Sequence, residues 1–225
     1  MIALENVTAR RRPAGIVATE RYFDGLAADW DTRMVLDEAG STRLEEALDR
    51  LRIEPGHTVI DAGCGTGILR PFLSRRIGSR GRVVGIDVAG AMIAKARGKC
   101  AGDGRFEWLQ GDVSQLLDNG LGGQSPGLQA DRIVCFSAFA HFDRKPRVLS
   151  AFYRALRSGG RFAIIHLKAS SQLNRFHASL ASSPVRSHRL PPACRLARVA
   201  RRQGFRLLWW QEQPGLYLVI GEKPA

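Results

Sequence analysis

The run "VIDAGCGTG" (Val59–Gly67) constrains the fold of this chain more than any other stretch. Gly63, Gly65 and Gly67 follow a short apolar strand and precede the helix-compatible "ILRPFLSRRIG". Glycine lets the backbone turn with φ > 0 and approach a ligand closely. A strand, a glycine turn and a helix in succession open a doubly wound sheet, whose ligands lie beyond the carboxyl ends of its strands. The dinucleotide fingerprint is GxGxxG, with pyrophosphate on the helix N-terminus. Here the spacing is GxGxG, and Ile68 stands at the place of the third fingerprint glycine. Asp61 immediately precedes the loop. A carboxylate there repels a pyrophosphate and attracts a cationic ligand.

The strand–helix alternation continues. "GRVVGIDV", "RFEWLQGDV", "DRIVCFSAF" and "RFAIIHL" read as strands, and "AGAMIAKARGKC" and "KPRVLSAFYRALRSGG" as helices, the latter stopped by its Gly-Gly. "QLLDNGLGGQSPGLQA" reads as a short helix running into a loop. Such units build a mostly parallel sheet covered on both faces. The end differs: "FRLLWWQEQPGLYLVIGEK" is two apolar runs about a Pro-Gly turn, an antiparallel hairpin. The expected fold is α/β, a Rossmann-like doubly wound, mostly parallel seven-stranded sheet ending in an antiparallel β-hairpin. Residues 1–18 read as a flexible basic leader and 19–225 as a single domain, with 19–55 a helical cap. Within the cap, Ser41 or Thr42 is the expected N-cap of "STRLEEALDRLRIEPG", Glu45 completes a capping box, and Leu44, Leu48 and Leu51 form the buried stripe.

Composition narrows the function. No apolar run reaches the roughly 18–20 residues that span a bilayer, and no apolar stretch follows the basic N-terminus as in a secretory signal. The expected location is cytoplasmic. The four cysteines are scattered and give neither a metal pattern nor a disulfide framework. The net charge of +13 lies wholly in the last 85 residues, which hold 16 basic and 3 acidic side chains. That is either attraction to an anionic substrate or nucleic acid, or the solvated surface of a chain with 29 Arg to 5 Lys.

Acids end three successive strands: Asp61, Asp87 and Asp112. Asp87 is placed to take both hydroxyls of a ribose. Asp112 is placed to accept from an exocyclic adenine amine, with Val113 beside the ring. Each acid alone reads first as a helix N-cap. Three of them beside a glycine turn favour a nucleoside.

These motifs resemble the class I S-adenosylmethionine-dependent methyltransferases, and within them the ubiquinone/menaquinone C-methyltransferase-like small-molecule group, over about residues 19–222. The resemblance implies S-adenosylmethionine as cofactor and S-adenosylhomocysteine as product. It implies a cofactor wall of Asp61, Gly63, Cys64, Gly65, Gly67, Asp87, Val88, Met92, Asp112 and Val113, with Phe136 flanking it. "RYFDGLAADWD" resembles the segment that covers the cofactor in this group, which adds Tyr22 and Trp30. "CFSAFAHF" stands where the amino-methylating DNA and RNA enzymes have an "NPPY"-like run, which disfavours that branch. The implied activity is methyl transfer to a small, anionic or metal-coordinating molecule. The alternatives are an RNA or protein methyltransferase using the basic C-terminal region, and a non-catalytic S-adenosylmethionine sensor.

Four histidines are candidate catalytic residues. His141, in "AHFD", is either a base or substrate contact, or a structural residue bonding backbone. His166, His177 and His188 recur at spacings of eleven in "HLKASSQLNRFHASLASSPVRSH". In this fold, residues 166–192 are an insertion expected to roof the substrate side. Ser170 or Ser171 caps its helix, and Asn174 and His177 share a face. Substrate contact, lid packing and a three-histidine metal site are the readings. Spacings of eleven give no local metal geometry, and no carboxylate lies between Lys145 and Gln211, so no metal ligand is assigned. Asn174, Arg175, Arg186 and Arg189 are the expected substrate contacts, the arginines as an electropositive rim.

Overall fold

Successive side chains of the central strands pass to opposite faces of one sheet. In the computed structural model, which describes residues 13–120 and 129–225, Val59, Val83, Val134, Ala163 and Ile220 join one apolar cluster, while Ile60, Val84, Cys135, Ile164 and Val219 join another. Burial on both faces is why these strands read as continuous apolar runs.

The strands are β1 (Thr58–Ala62), β2 (Arg82–Asp87), β3 (Phe106–Gln110), β4 (Ala130–Phe136), β5 (Leu156–His166), β6 (Arg206–Gln213) and β7 (Leu216–Glu222). They form one seven-stranded sheet in the order β3-β2-β1-β4-β5-β7-β6. β1 to β5 are parallel, and β7 runs antiparallel between β5 and β6. The expected fold class is the observed one. Helices α3 (Glu38–Leu51), α4 (Arg70–Ile77) and α5 (Gly90–Lys99) pack on one face. Helices α6 (Val113–Asp118), α7 (Lys145–Ala155) and α9 (Ala193–Arg202) pack on the other. α1 (Ala14–Leu26), α2 (Trp30–Arg33) and α8 (Ser170–Ser179) complete the helices named here. The strand order reverses between β1 and β4, and the crevice at such a switch point is where a doubly wound sheet binds ligands.

Several boundaries differ from expectation. α1 begins at Ala14, inside the stretch read as leader, because Pro13 stands at its N-cap with φ −54°; residues 1–12 lie outside the described residues, as do 121–128 of the expected loop. α3 starts ahead of Ser41 and Thr42: Asp37 Oδ1 accepts from the Gly40 N–H at 2.6 Å and caps the helix instead. Its stripe of Leu44, Leu48 and Leu51 is fully buried as expected. α7 ends at Ala155, short of the glycine pair, and the chain enters β5 at Leu156, where the register on β4 shifts between Ala130 and Arg132. α8 is preceded by Ala169 at its N-cap, not by Ser170 or Ser171, and Gln172 Oε1 accepts from the Ala169 N–H.

Candidate cofactor and acceptor site

The glycine loop is held by the end of β2. The Gly63 and Cys64 N–H groups donate to the Ile86 carbonyl at 2.8 and 3.0 Å. Asp87 Oδ2 accepts from the Gly65 N–H, and its Oδ1 from the Ala89 N–H, both at 2.9 Å. Gly63 has φ +79°, and a Cβ there would meet the Cβ of Ala138 at 2.3 Å. Only glycine fits this turn. Gly67 serves differently from the expected ligand contact. It lies off the cleft, with φ +78° and the Trp108 ring 3.0 Å from where a Cβ would stand.

The cleft beyond the loop is lined by Asp61, Gly63, Cys64 and Gly65, by Asp87, Val88 and Met92, by Asp112 and Val113, and by Phe136 and His141. Thus the three strand-end acids do converge. Asp112 also realises the capping alternative: its Oδ1 accepts from the Gln115 N–H at 2.9 Å. Asp61 is 1% exposed, and its Oδ2 has no hydrogen-bond partner among the described residues. Burial, then the neighbouring Asp87, pushes the Asp61 carboxyl up to about 8. Burial likewise raises Asp87 against the pull of its backbone donors.

The described cleft lining holds Asp61, Asp87, Asp112 and Asp143 but no Lys or Arg. Such a wall rejects a pyrophosphate and accepts a cation. An unpartnered buried carboxylate, a glycine cradle and a second acid 20 residues beyond the loop fit the S-adenosylmethionine that this fold implies. Asp87 would hold its ribose, since each carboxylate oxygen retains a further acceptor position.

The N-terminal helices form one wall. Trp30 lies with its indole Nε1 3.4 Å from a Cβ position on Gly65. Tyr22, in contrast, does not line the cleft; its neighbour Phe23 does, edge-on to Trp30 at 5.5 Å. Ile16, Thr19 and Phe23 are the residues of α1 that face the cleft. They follow the i, i+3, i+7 stripe of one helix face, and that periodicity was the signal that would have selected Phe23 over Tyr22. Ser137 was also missed. It lines the cleft with φ +55°, a left-handed turn that nothing in its residue type announces.

The acceptor side departs furthest from expectation. No residue of 166–192 lines the cleft. Asn174 is committed to backbone: its Nδ2 donates to the Leu190 carbonyl at 2.9 Å and its Oδ1 accepts from the Leu190 N–H at 2.8 Å. Arg175 and Arg186 are exposed and line neither this cleft nor a second cavity nearby. Arg189 lines that second cavity but turns its Nη1 to the carbonyls of Arg186 and His188. His166 is 2% exposed, edge-on to Tyr217 at 5.7 Å, with Nε2 unpartnered among the described residues. Burial drives its imidazole down to about 3. His177 and His188 do reach the site, as a layer behind His141, with ring centroids 5.0 and 5.2 Å from it. Among the described residues, no three His, Cys, Asp or Glu side chains are grouped to hold a metal ion. No described helix is long and apolar enough to cross a membrane.

Sheet order, glycine loop and acidic cleft define a class, and the chain belongs to it: the class I S-adenosylmethionine-dependent methyltransferases. Residues 59–160 match the family described as "Methyltransferase domain". The chain is 36% identical over 121 residues to the 2-phytyl-1,4-naphtoquinone methyltransferase of Thermosynechococcus vestitus, covering 53% of this chain and 50% of that protein. It is 29% identical over 156 residues to the demethylmenaquinone methyltransferase of Symbiobacterium thermophilum, covering 68% of this chain and 60% of that one. The chain thus spans half to three fifths of the length of these two relatives. The DhpI–SAH complex shares the fold with a TM-score of 0.69 at 21% identity, covering 95% of this chain and 100% of that one.

Proposed function

We propose that this chain transfers the methyl group of S-adenosylmethionine to a small aromatic acceptor of the quinol type. The observation that carries the cofactor half is the acidic cleft, whose described lining holds no Lys or Arg, with its unpartnered Asp61. The acceptor half is supported by the named activities of the relatives and by the aromatic lining of Phe23 and Phe142 next to His141. When bound, S-adenosylmethionine supplies a methyl carbon on a good leaving group. The protein's work is then orientation and exclusion of water. Asp61 would face the cationic part of the ligand, Asp87 the ribose and Asp112 the base. Phe23 and Trp30 close the wall against solvent.

Calorimetry with S-adenosylhomocysteine tests the cofactor. Binding should be measurable, and Asp87→Ala should weaken it at least tenfold; equal affinity in the variant removes the ribose assignment. Transfer of a labelled methyl group to a panel of hydroxynaphthalenes and phenols tests the acceptor. Binding without turnover on any of them supports the sensor reading. An RNA acceptor has one observation in its favour, the arginines 195, 198, 201 and 202 exposed along α9. That helix packs beside β6 and β7, remote in the strand order from the β1–β4 crevice. RNA binding that falls steeply with salt, together with RNA methylation, would support it.

A further inference from the structure

One imidazole nitrogen faces another across the wall of the cleft. His141 Nδ1 and His188 Nδ1 are 2.9 Å apart. At that distance one of the two nitrogens carries a proton and the other accepts it. The backbone of His188 is held from behind. His177 Nδ1 is 3.1 Å from the His188 carbonyl oxygen, so His177 donates, and Arg189 Nη1 donates to the same oxygen at 3.0 Å. Lys145 Nζ donates to the carbonyls of Ala140 and Phe142, on either side of His141, and fixes the backbone there. His141 Nε2 makes no hydrogen bond to any described residue, while its ring lines the cleft.

Resting on the methyltransferase reading above, we propose that His141 Nε2 takes the acceptor's proton, and that His188 is the positioning residue that fixes the His141 tautomer. His141 carries its own proton on Nδ1 and donates it to His188 Nδ1. Its Nε2 lone pair is then turned to the cleft. The acceptor's O–H or C–H bond would give up a proton to that nitrogen and keep the electron pair, which would form the new bond to the methyl carbon as that carbon's bond to the donor sulfur breaks and its pair stays on the neutral thioether. The resulting imidazolium holds both protons until water removes the one on Nε2. His188 does here what a carboxylate does for the histidine of a hydrolase triad, but without a full charge.

The surroundings agree. Burial, then the neighbouring imidazoles of His177, His188 and His166 and the ammonium of Lys145, hold His141 well below the ordinary imidazole range. Phe23, on α1, meets the His141 ring edge-on at 4.9 Å. His188 is lowered first by burial; the Asp143 carboxylate opposes this, and His177, Lys145 and Arg189 add to it. Asp143 acts on the His188 ring through its charge and lines the same cavity; with Nδ1 turned to His141, the His188 proton is assigned to Nε2. That leaves His188 Nδ1 as the acceptor. Both rings are therefore neutral at pH 7, and a neutral base is ready without prior deprotonation.

The full chain, labelled with 15N-histidine, shows the tautomers directly by NMR. His141 should carry its proton on Nδ1 in the free protein. His188→Leu should release that preference and lower kcat about a hundredfold, with KM and S-adenosylhomocysteine affinity within about twofold. His188→Asn, which keeps an acceptor oxygen, should restore the tautomer and most of the rate. His188→Asp should move the acidic limb of the kcat–pH profile upward. An Nε2-protonated His141 in the unaltered protein, or an unchanged tautomer and rate in His188→Leu, overturns the pair while leaving cofactor binding intact. Failure of the unaltered protein to bind S-adenosylhomocysteine overturns the cofactor reading and the base with it.

Discussion

Residues 14–34, ahead of the first strand, and 166–192, from the end of β5 toward β6, both carry aromatic or imidazole rings, yet they stand in different relations to the cleft. The first reaches outward. Asp31 accepts from Thr66 of the glycine loop and from Lys99 of α5; Asp24 accepts from the Ala91 N–H; and Lys95 donates to the Ala28 carbonyl. Its rings Phe23 and Trp30 are thereby fixed along the cleft. The second is bonded mostly to itself, through Asn174 to Leu190 and His177 to His188. It supports His141 from behind. Where a segment's polar side chains find partners decides whether it becomes part of a site or a buttress for one.

The contrast can be broken or sharpened by substitution. The largest effect belongs to the floor beneath both segments. Asp61 has its folded pKa raised to about 8 from 3.8. It therefore favours the folded state below about pH 4, and that contribution is lost as pH rises through 8. Asp61→Asn should stabilise the free chain at pH 7 by on the order of a few kcal/mol, flatten the stability profile between about pH 4 and 8, and weaken S-adenosylhomocysteine at least tenfold. Denaturant titrations across that range, paired with calorimetry, check both halves. Next, Trp30→Ala should cost about tenfold in that affinity, about 1.4 kcal/mol. Asn174→Ala should leave affinity unchanged. It removes both bonds to Leu190, and the fold should lose about 1–3 kcal/mol by denaturant melt. If the two variants exchanged phenotypes, the division between wall and buttress would be wrong.

His166 gives a smaller, pH-limited effect. Its folded pKa of about 3 lies below the unfolded 6.5, so the unfolded state binds the proton first. Stability should hold above about pH 6.5 and fall as the medium is acidified toward 3, and His166→Phe should blunt that slope. Smallest of all, Arg175→Ala and Arg186→Ala should change stability by no more than about 0.5 kcal/mol and leave turnover unchanged.

The sheet and most of the cleft lining were legible because their signals are local. Strands buried on both faces read as apolar runs, a positive-φ turn needs glycine, and acids at strand ends count out along the chain. Phe23 was hidden by phase. Which residue of a helix faces inward depends on where the helix starts, and Pro13 sets that from outside the aromatic cluster. The histidine segment was hidden by distance. Nothing near Asn174 says that its amide will close on Leu190 sixteen residues away, or that His188 will meet a ring 47 residues earlier. Ser137 carries a glycine's conformation without a glycine's name.

Glu212, on β6, binds both ends of the histidine segment. Its Oε1 accepts from the Ser170 N–H and hydroxyl, and its Oε2 from the Ala193 N–H. One carboxylate thus closes residues 170–193 into a loop whose ends meet at a single clasp. The segment between the two anchored N–H groups lines none of the described cleft. What backs His141 and what shapes the glycine loop are thereby held by separate attachments, one carboxylate on β6 and one at the end of β2.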